Sequence, residues 1–270
     1  MRLRVAHTPD ADDAFMFYAM VSGKIPLPFE IEHIIMDIEA LNKLAFKGDL
    51  DVTALSAHAY AYLSDKYRIL SAGASVGDGY GPIVVAKEKI NLEGKKIAIP
   101  GKYTTAYLYL RLAVENFKPV EMRFDEIMDA VKRGEVDAGL LIHEGQITYE
   151  KFGLVKVLDL WEWWKELTNL PMPLGVNVIS RRIDEKIQRE FLKAMKLSIE
   201  YALKNSEEAA RYAMKYSRGM SFEETLRFAR MYVNEYTYEM PKSVLKAIEK
   251  LFEMGEEKGF FKKPVLDVLF

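Results

Sequence analysis

One pattern occurs twice along the chain, and that duplication limits the fold more than any other feature. Arg4-Val5-Ala6-His7 forms a short β-type run, a polar turn follows, and Ala14-Phe15-Met16-Phe17-Tyr18-Ala19-Met20 reads as a buried helix. Lys96-Ile97-Ala98-Ile99 begins the same order again, with Pro100-Gly101-Lys102-Tyr103 as the turn and a helix predicted over Thr104–Phe117. That helix rests on the spacing of Leu108, Leu112 and Val114-Glu115, with Thr104 or Thr105 as its N-cap. A second pair of segments also matches. Ala45-Phe46-Lys47-Gly48-Asp49-Leu50-Asp51-Val52 resembles Ala130-Val131-Lys132-Arg133-Gly134-Glu135-Val136-Asp137-Ala138. In both, a helix with a basic last turn ends at a glycine and an apolar extended segment follows. The glycine supplies a left-handed residue after the helix, and the basic side chains favour the negative end of its dipole.

Gly48 and Gly134 lie 86 residues apart, and Arg4 and Lys96 lie 92 apart. A repeat of that length is a lobe and not a solenoid unit. The expected fold class is therefore α/β, with two lobes of similar plan. Gly77-Asp78-Gly79-Tyr80-Gly81-Pro82 leads into the strand Ile83-Val84-Val85-Ala86, and Pro171-Met172-Pro173-Leu174-Gly175 leads into Val176-Asn177-Val178-Ile179. Two such crossings suit a discontinuous first lobe, 1–85 with 175–270, and a second lobe, 86–174, joined by a double hinge. From Asp184 onward the chain reads as helical. Asp184 caps one helix, Ser221-Phe222-Glu223-Glu224 has capping-box form, and Pro241 opens a last helix expected to stop at Gly255. Parallel α/β lobes bind ligands outside the carboxyl ends of their strands. Four loops are thereby placed around one cleft: Thr8–Asp13, Ser56–His58, Tyr103–Thr105 and His143–Gly145.

Composition removes several function classes. With 270 residues, half of them hydrophobic, the chain can bury a sizeable core. A net charge of −2 leaves no excess of Lys and Arg to neutralise phosphates, so nucleic acid is not an expected partner. The absence of cysteine excludes disulfides, thiol catalysis and cysteine metal sites. The longest apolar run, Ala14–Val21, is far short of the roughly 20 residues that span a bilayer. Met1-Arg2-Leu3-Arg4-Val5-Ala6-His7-Thr8 turns polar too soon for a signal peptide. A cytoplasmic location is expected, without a membrane partner.

His143 ends the apolar run Ala138-Gly139-Leu140-Leu141-Ile142, where a histidine is ordinarily just a satisfied strand end. Its place at the cleft mouth makes it the candidate general base. His7 shares a loop with Asp10, Asp12 and Asp13; those carboxylates fit metal ligation less well than capping of the Ala14 helix. His33 and His58 read as structural or exposed. Thr104 and Thr105 are an ordinary cap, or else an anion site in which helix N–H groups and two hydroxyls meet a carboxylate or phosphate. Ser56 lacks a nucleophile elbow and reads as a hydrogen-bond donor. Gly77–Gly81 lacks the phosphate-loop ending and reads as a connector. Trp161, Trp163 and Trp164 are core or interface aromatics, or else a wall for a flat ring beside the second hinge. No histidine–glutamate spacing suggests a metal.

Several motifs in order carry a family resemblance. They are Asp12-Asp13-Ala14-Phe15-Met16-Phe17-Tyr18, Thr53-Ala54-Leu55-Ser56, Gly101-Lys102-Tyr103-Thr104-Thr105-Ala106-Tyr107 and Leu141-Ile142-His143-Glu144, followed by Trp163-Trp164 and Leu170-Pro171-Met172-Pro173-Leu174-Gly175. The set resembles the 1,4-dihydroxy-6-naphthoate synthase family of the futalosine route to menaquinone, from about Thr8 to Gly175. The resemblance implies a type II periplasmic-binding-protein-like fold with a central cleft. It implies conversion of cyclic dehypoxanthinylfutalosine to 1,4-dihydroxy-6-naphthoate and dihydroxyacetone, a carbon–carbon cleavage needing neither metal nor organic cofactor. His143 would be the proton acceptor, with Ala54, Leu55 and Ser56 on one side of the substrate and Thr104 and Thr105 on the other. The implied partner is thus a small aromatic carboxylate, and a homodimer is left open. Asp12 stands where the family usually carries asparagine, and Tyr103 where some members carry histidine. The alternatives are a chorismate dehydratase-like sister enzyme and a non-catalytic cytoplasmic binding module for a small aromatic carboxylate.

Overall fold

The computed structural model describes residues 1–217 and 219–270. The chain first runs through β1 (Arg2–His7), α1 (Ala11–Val21), β2 (Glu30–Ile35), α2 (Ile38–Lys47), β3 (Val52–Ser56), α3 (Ala57–Tyr60), β4 (Tyr67–Leu70) and β5 (Ser75–Gly77). It then builds a second unit from β6 (Ile83–Ala86), β7 (Lys96–Ile99), α4 (Thr105–Ala113), β8 (Lys118–Glu121), α5 (Ile127–Arg133), β9 (Ala138–Leu141), α6 (Gly145–Thr148), β10 (Val155–Asp159) and α7 (Leu160–Thr168). It returns along β11 (Met172–Ser180). The rest is helical, with α8 (Glu185–Lys204), α9 (Ser206–Ala213), α10 (Phe222–Tyr232), α11 (Glu235–Tyr238) and α12 (Lys242–Glu257), closed by a short β12 (Val268–Leu269).

Two sheets result, ordered β12-β4-β11-β3-β1-β2, with β5 beside β11, and β10-β6-β9-β7-β8. Their centres repeat one plan. β1 lies parallel between β2 and β3, and β7 lies parallel between β8 and β9. The next slot holds an antiparallel strand in each: β11 against β3, and β6 against β9. Each crossing therefore delivers the strand that completes the other lobe's sheet. β6 pairs wholly within the second sheet from Ile83 onward. β11 starts at Met172, earlier than its sequence suggests, because Met172 and Pro173 already pair with Gly77 and Val76 of β5.

The duplicated local signals behave alike. Gly48 and Gly134 both close their helices at φ 74°, with basic Lys47, Lys132 and Arg133 in the last turns. Thr104 is the cap of α4, its hydroxyl accepting from the Tyr107 N–H. That helix ends at Ala113, short of the expected Phe117, because β8 must begin at Lys118 to run alongside β7. α1 is buried from Ala11 to Met20, between the first sheet and α8, α9 and α10. A helix with so little polar face survives only when covered on every side. Asp184 and the Ser221–Glu224 box cap their helices as expected. The last helix does not stop at Gly255 but continues to Glu257; a side chain at Gly255 would overlap the ring of Phe261, which folds back onto it. Among the described residues no helix is long and apolar enough to cross a membrane.

Candidate active site

The carboxyl ends of the two central strands face one cavity, lined by residues of both sheets. Ala54, Leu55, Ser56, Thr104, Thr105 and His143 all line it, so the residues singled out from sequence converge on one place. Each of the four anticipated loops contributes, the first through Thr8, Asp10, Asp12 and Asp13. Opposite faces of the cleft edge are tied together. Tyr103 N–H donates to Glu39 at 3.2 Å, and Lys43 meets Glu121 at 2.6 Å. Gly101 permits this approach, since a Cβ there would lie 2.4 Å from Glu39. Burial pushes the Glu39 carboxyl up to about 6.

The β1–α1 junction is acidic and tightly wired. Asp13 accepts from the N–H and the hydroxyl of Thr8, at 2.8 and 2.7 Å. His7 is fully buried, stacked on Phe17, and its Nδ1–H donates to the Thr8 carbonyl at 2.7 Å. That tautomer leaves His7 Nε2 to accept from His33 Nε2–H at 2.6 Å. Burial lowers both imidazoles to about 4, so the pair is neutral near pH 7. The carboxylates shift the opposite way. Burial raises Asp13 to about 6, and burial together with Asp13 and Asp10 holds Asp12 well above its ordinary value. Asp12 Oδ1 is buried without a hydrogen-bond partner among the described residues, in a side chain that lines the cavity.

The β7–α4 junction has the same geometry and the opposite polarity. No acid occupies the first turn of α4. The Thr104 hydroxyl donates to Gly101 O at 2.8 Å while capping Tyr107. The Thr105 hydroxyl donates to Leu174 O and accepts from His58 N–H at 3.3 Å. Both hydroxyl hydrogens are therefore committed to backbone, contrary to the expectation that they would meet an anion. The groups left at the open end of the helix are the N–H groups of Thr105 and Ala106, at its positive end. Ser56 differs: its oxygen accepts from Asn42 Nδ2 at 3.0 Å, which leaves its hydrogen free to donate into the cavity.

His143 follows β9 and adopts φ 54°, a backbone region that non-glycine residues seldom occupy. Its surroundings hold it there. Nδ1 lies 3.1 Å from Asp10 Oδ2, across the cleft, and Phe124 stands edge-on at 5.1 Å. With the Gln146 amide turned to suit its neighbours, its oxygen accepts from His143 N–H at 3.2 Å and its nitrogen donates to Gly81 O at 2.8 Å. Strain of this kind, fixed from several sides, recurs where a side chain must be aimed.

Comparison with known proteins agrees with the fold. A family model described as menaquinone biosynthesis matches residues 3–257. A curated relative from Thermus thermophilus, named 1,4-dihydroxy-6-naphthoate synthase, is 40% identical over 258 residues, covering 95% of both chains. One from Streptomyces coelicolor with the same name is 33% identical, covering 95% of this chain and 94% of its own. The chain belongs to this family. It is an enzyme of menaquinone biosynthesis by that membership. A solved protein from Archaeoglobus fulgidus superposes with TM-score 0.95 at 64% identity, covering 96% of this chain and 98% of its own. The alkanesulfonate-binding protein of Xanthomonas axonopodis, solved with MOPS, superposes at 0.74 with 14% identity, covering 99% and 98%. That likeness establishes the two-lobed periplasmic-binding-protein-like fold.

Against this family background, some sequence readings need correction and some residues were missed. None of the three tryptophans lines the cavity. Trp164 is fully buried, edge-on to Tyr109 at 5.3 Å, and its Nε1–H donates to Pro171 O at 2.9 Å; Trp161 and Trp163 pack on the same core. They hold the return crossing and do not face a ligand. His58 is structural, its Nδ1 bonded to Thr104 O at 3.2 Å. Asp10 is the N-cap residue of α1 and Asp12 and Asp13 lie in its first turn, as expected; no side-chain cap bond forms, and all three also line the cavity. Asn177 and Tyr232 also line it, from β11 and α10, and no local motif marks either. Asn177 Nδ2 donates to Gly73 O, and its Oδ1 is buried without a partner among the described residues.

Proposed function

We propose that this enzyme is a carbon–carbon lyase that converts cyclic dehypoxanthinylfutalosine to 1,4-dihydroxy-6-naphthoate and dihydroxyacetone. His143 serves as the general base. The observation that carries this reading is the position of His143: an imidazole held at φ 54° on the wall of the cavity that Thr105 and Ala106 also line. The aromatic carboxylate lies against Thr105 and Ala106, where the helix dipole and open N–H groups favour negative charge. The sugar-derived end then points toward the β1–α1 junction. Ala54 and Leu55 cover the ring, and Ser56 donates to it.

Several unmatched polar atoms suit a polyhydroxylated fragment at that end. Asp12, whose carboxyl is raised by burial and by its neighbouring acids, presents its unpartnered Oδ1 to a hydroxyl, and Asn177 Oδ1 accepts from another. His143 removes a proton as the carbon–carbon bond breaks, and formation of the second aromatic ring supplies driving force, so the chemistry requires no cofactor. The test is direct. Purified protein given cyclic dehypoxanthinylfutalosine will release 1,4-dihydroxy-6-naphthoate and dihydroxyacetone, detected by absorbance and by enzymatic assay of the triose. His143→Ala will lower turnover by about two to four orders of magnitude with little change in binding. A folded His143→Ala protein with parental turnover would remove the base assignment.

A further inference from the structure

We propose that Asp10 is the positioning residue of His143, so that the base is assembled across the cleft from both lobes. The inference rests on the reading of His143 as the base. Asp10 belongs to the loop after β1 in the first sheet, and His143 to the segment after β9 in the second. Their Oδ2 and Nδ1 atoms are 3.1 Å apart, and the Asp10 side chain is only 2% exposed. This is the arrangement in which a carboxylate fixes the imidazole tautomer: Nδ1–H donates to Asp10, and Nε2 keeps its lone pair to take the substrate proton. The carboxylate also stabilises the imidazolium formed when that proton arrives. The ring is steadied by Phe124, and its backbone by Gln146, which reaches Gly81 on the crossing and Tyr232 on α10. Since the two partners sit on different sheets, opening of the lobes separates them.

The experiment is a double-mutant cycle read by kcat and KM on cyclic dehypoxanthinylfutalosine, with circular dichroism confirming the fold of each protein. Asp10→Asn keeps the size of the side chain and removes its charge. It is expected to lower kcat about a hundredfold or more while KM stays within about threefold, the comparable change in a serine protease triad costing about ten-thousandfold. In a His143→Ala background the same substitution is expected to change kcat by less than about threefold, because Asp10 then has nothing to position. Equal losses in both backgrounds would overturn the proposal. So would parental kcat in Asp10→Asn while His143→Ala is impaired, and that result would leave the base reading intact. Parental turnover in His143→Ala would instead defeat the base reading itself. A readout independent of activity is the imidazole nitrogen spectrum of the four histidines. The His143 signals, identified by their loss in His143→Ala, should report an Nδ1–H tautomer that gives way to Nε2–H in Asp10→Ala; an unchanged tautomer would overturn the pairing.

Discussion

The β1–α1 and β7–α4 junctions share a strand, a tight turn and a helix N-terminus aimed at the same cavity, yet they carry opposite charge logic. At the first, the chain supplies its own acids: Asp12 and Asp13 sit in the opening turn of α1, where burial raises both carboxyls. At the second, the opening turn of α4 has no acid, and both threonine hydroxyls are turned to backbone carbonyls. A helix dipole satisfied from within offers nothing to a ligand anion, whereas one left open offers a site. The repeated geometry provides two similar walls, one with acids in its opening helical turn and the other with none, which suits the proposed carboxylate. A substrate with a carboxylate at one end and hydroxyls at the other can enter such a cleft in one sense only.

The difference can be broken by giving the second junction the polarity of the first. Ala106→Asp places a carboxylate in the opening turn of α4, beside the donors assigned to the ligand. Affinity for 1,4-dihydroxy-6-naphthoate is expected to weaken about a hundredfold, the scale of one lost charged hydrogen bond plus repulsion. Titration by fluorescence checks it, and unchanged affinity would place the carboxylate elsewhere.

A smaller effect sharpens the other side of the comparison. Burial raises the Asp13 carboxyl from 3.8 to about 6, so the folded state favours its neutral form. The stabilisation from this group is complete below the unfolded value and is lost as pH rises through about 6. Asp13→Asn cannot titrate. The variant should therefore gain on the parent by about 1–3 kcal/mol between about pH 4 and about pH 7, read by urea unfolding. A difference that stays constant with pH would mean that the first junction carries no such charge cost.

The smallest change in affinity is expected where the hydroxyls are already spent. Thr104→Val with Thr105→Val removes the cap and the bond to Leu174, costing about 1–3 kcal/mol of stability. Product affinity should stay within about threefold, because the N–H donors remain. A tenfold weakening, with the fold intact by circular dichroism, would return the hydroxyls to the ligand.

The two-lobed plan was legible because its signals are local. Lys47-Gly48 and Lys132-Arg133-Gly134 each announce a helix end within a few residues, and the strand–turn–helix order needs no long-range information. The position of His143 on the cleft was legible for the same reason, since loops at strand ends have a known destination. What the sequence concealed lies at long separation. Nothing near Asp10 signals that its partner is His143 in the other lobe, and nothing in α10 marks Tyr232 as a cavity residue. The tryptophans take the core alternative and not the ring wall, because proximity to a crossing in sequence does not fix the side that a ring faces. Thr104 and Thr105 were placed correctly on the cavity wall, but the commitment of their hydrogens depends on Gly101 and Leu174, one of them 69 residues away.

The account stands most directly on the orientation of the bound aromatic carboxylate. A crystal structure of the protein with 1,4-dihydroxy-6-naphthoate should place the carboxylate within hydrogen-bond distance of the Thr105 and Ala106 N–H groups, with the far ring edge turned toward His143 and the β1–α1 loop. A carboxylate found against Asp10, Asp12 or Asp13, or a ligand lying outside this cavity, would contradict it.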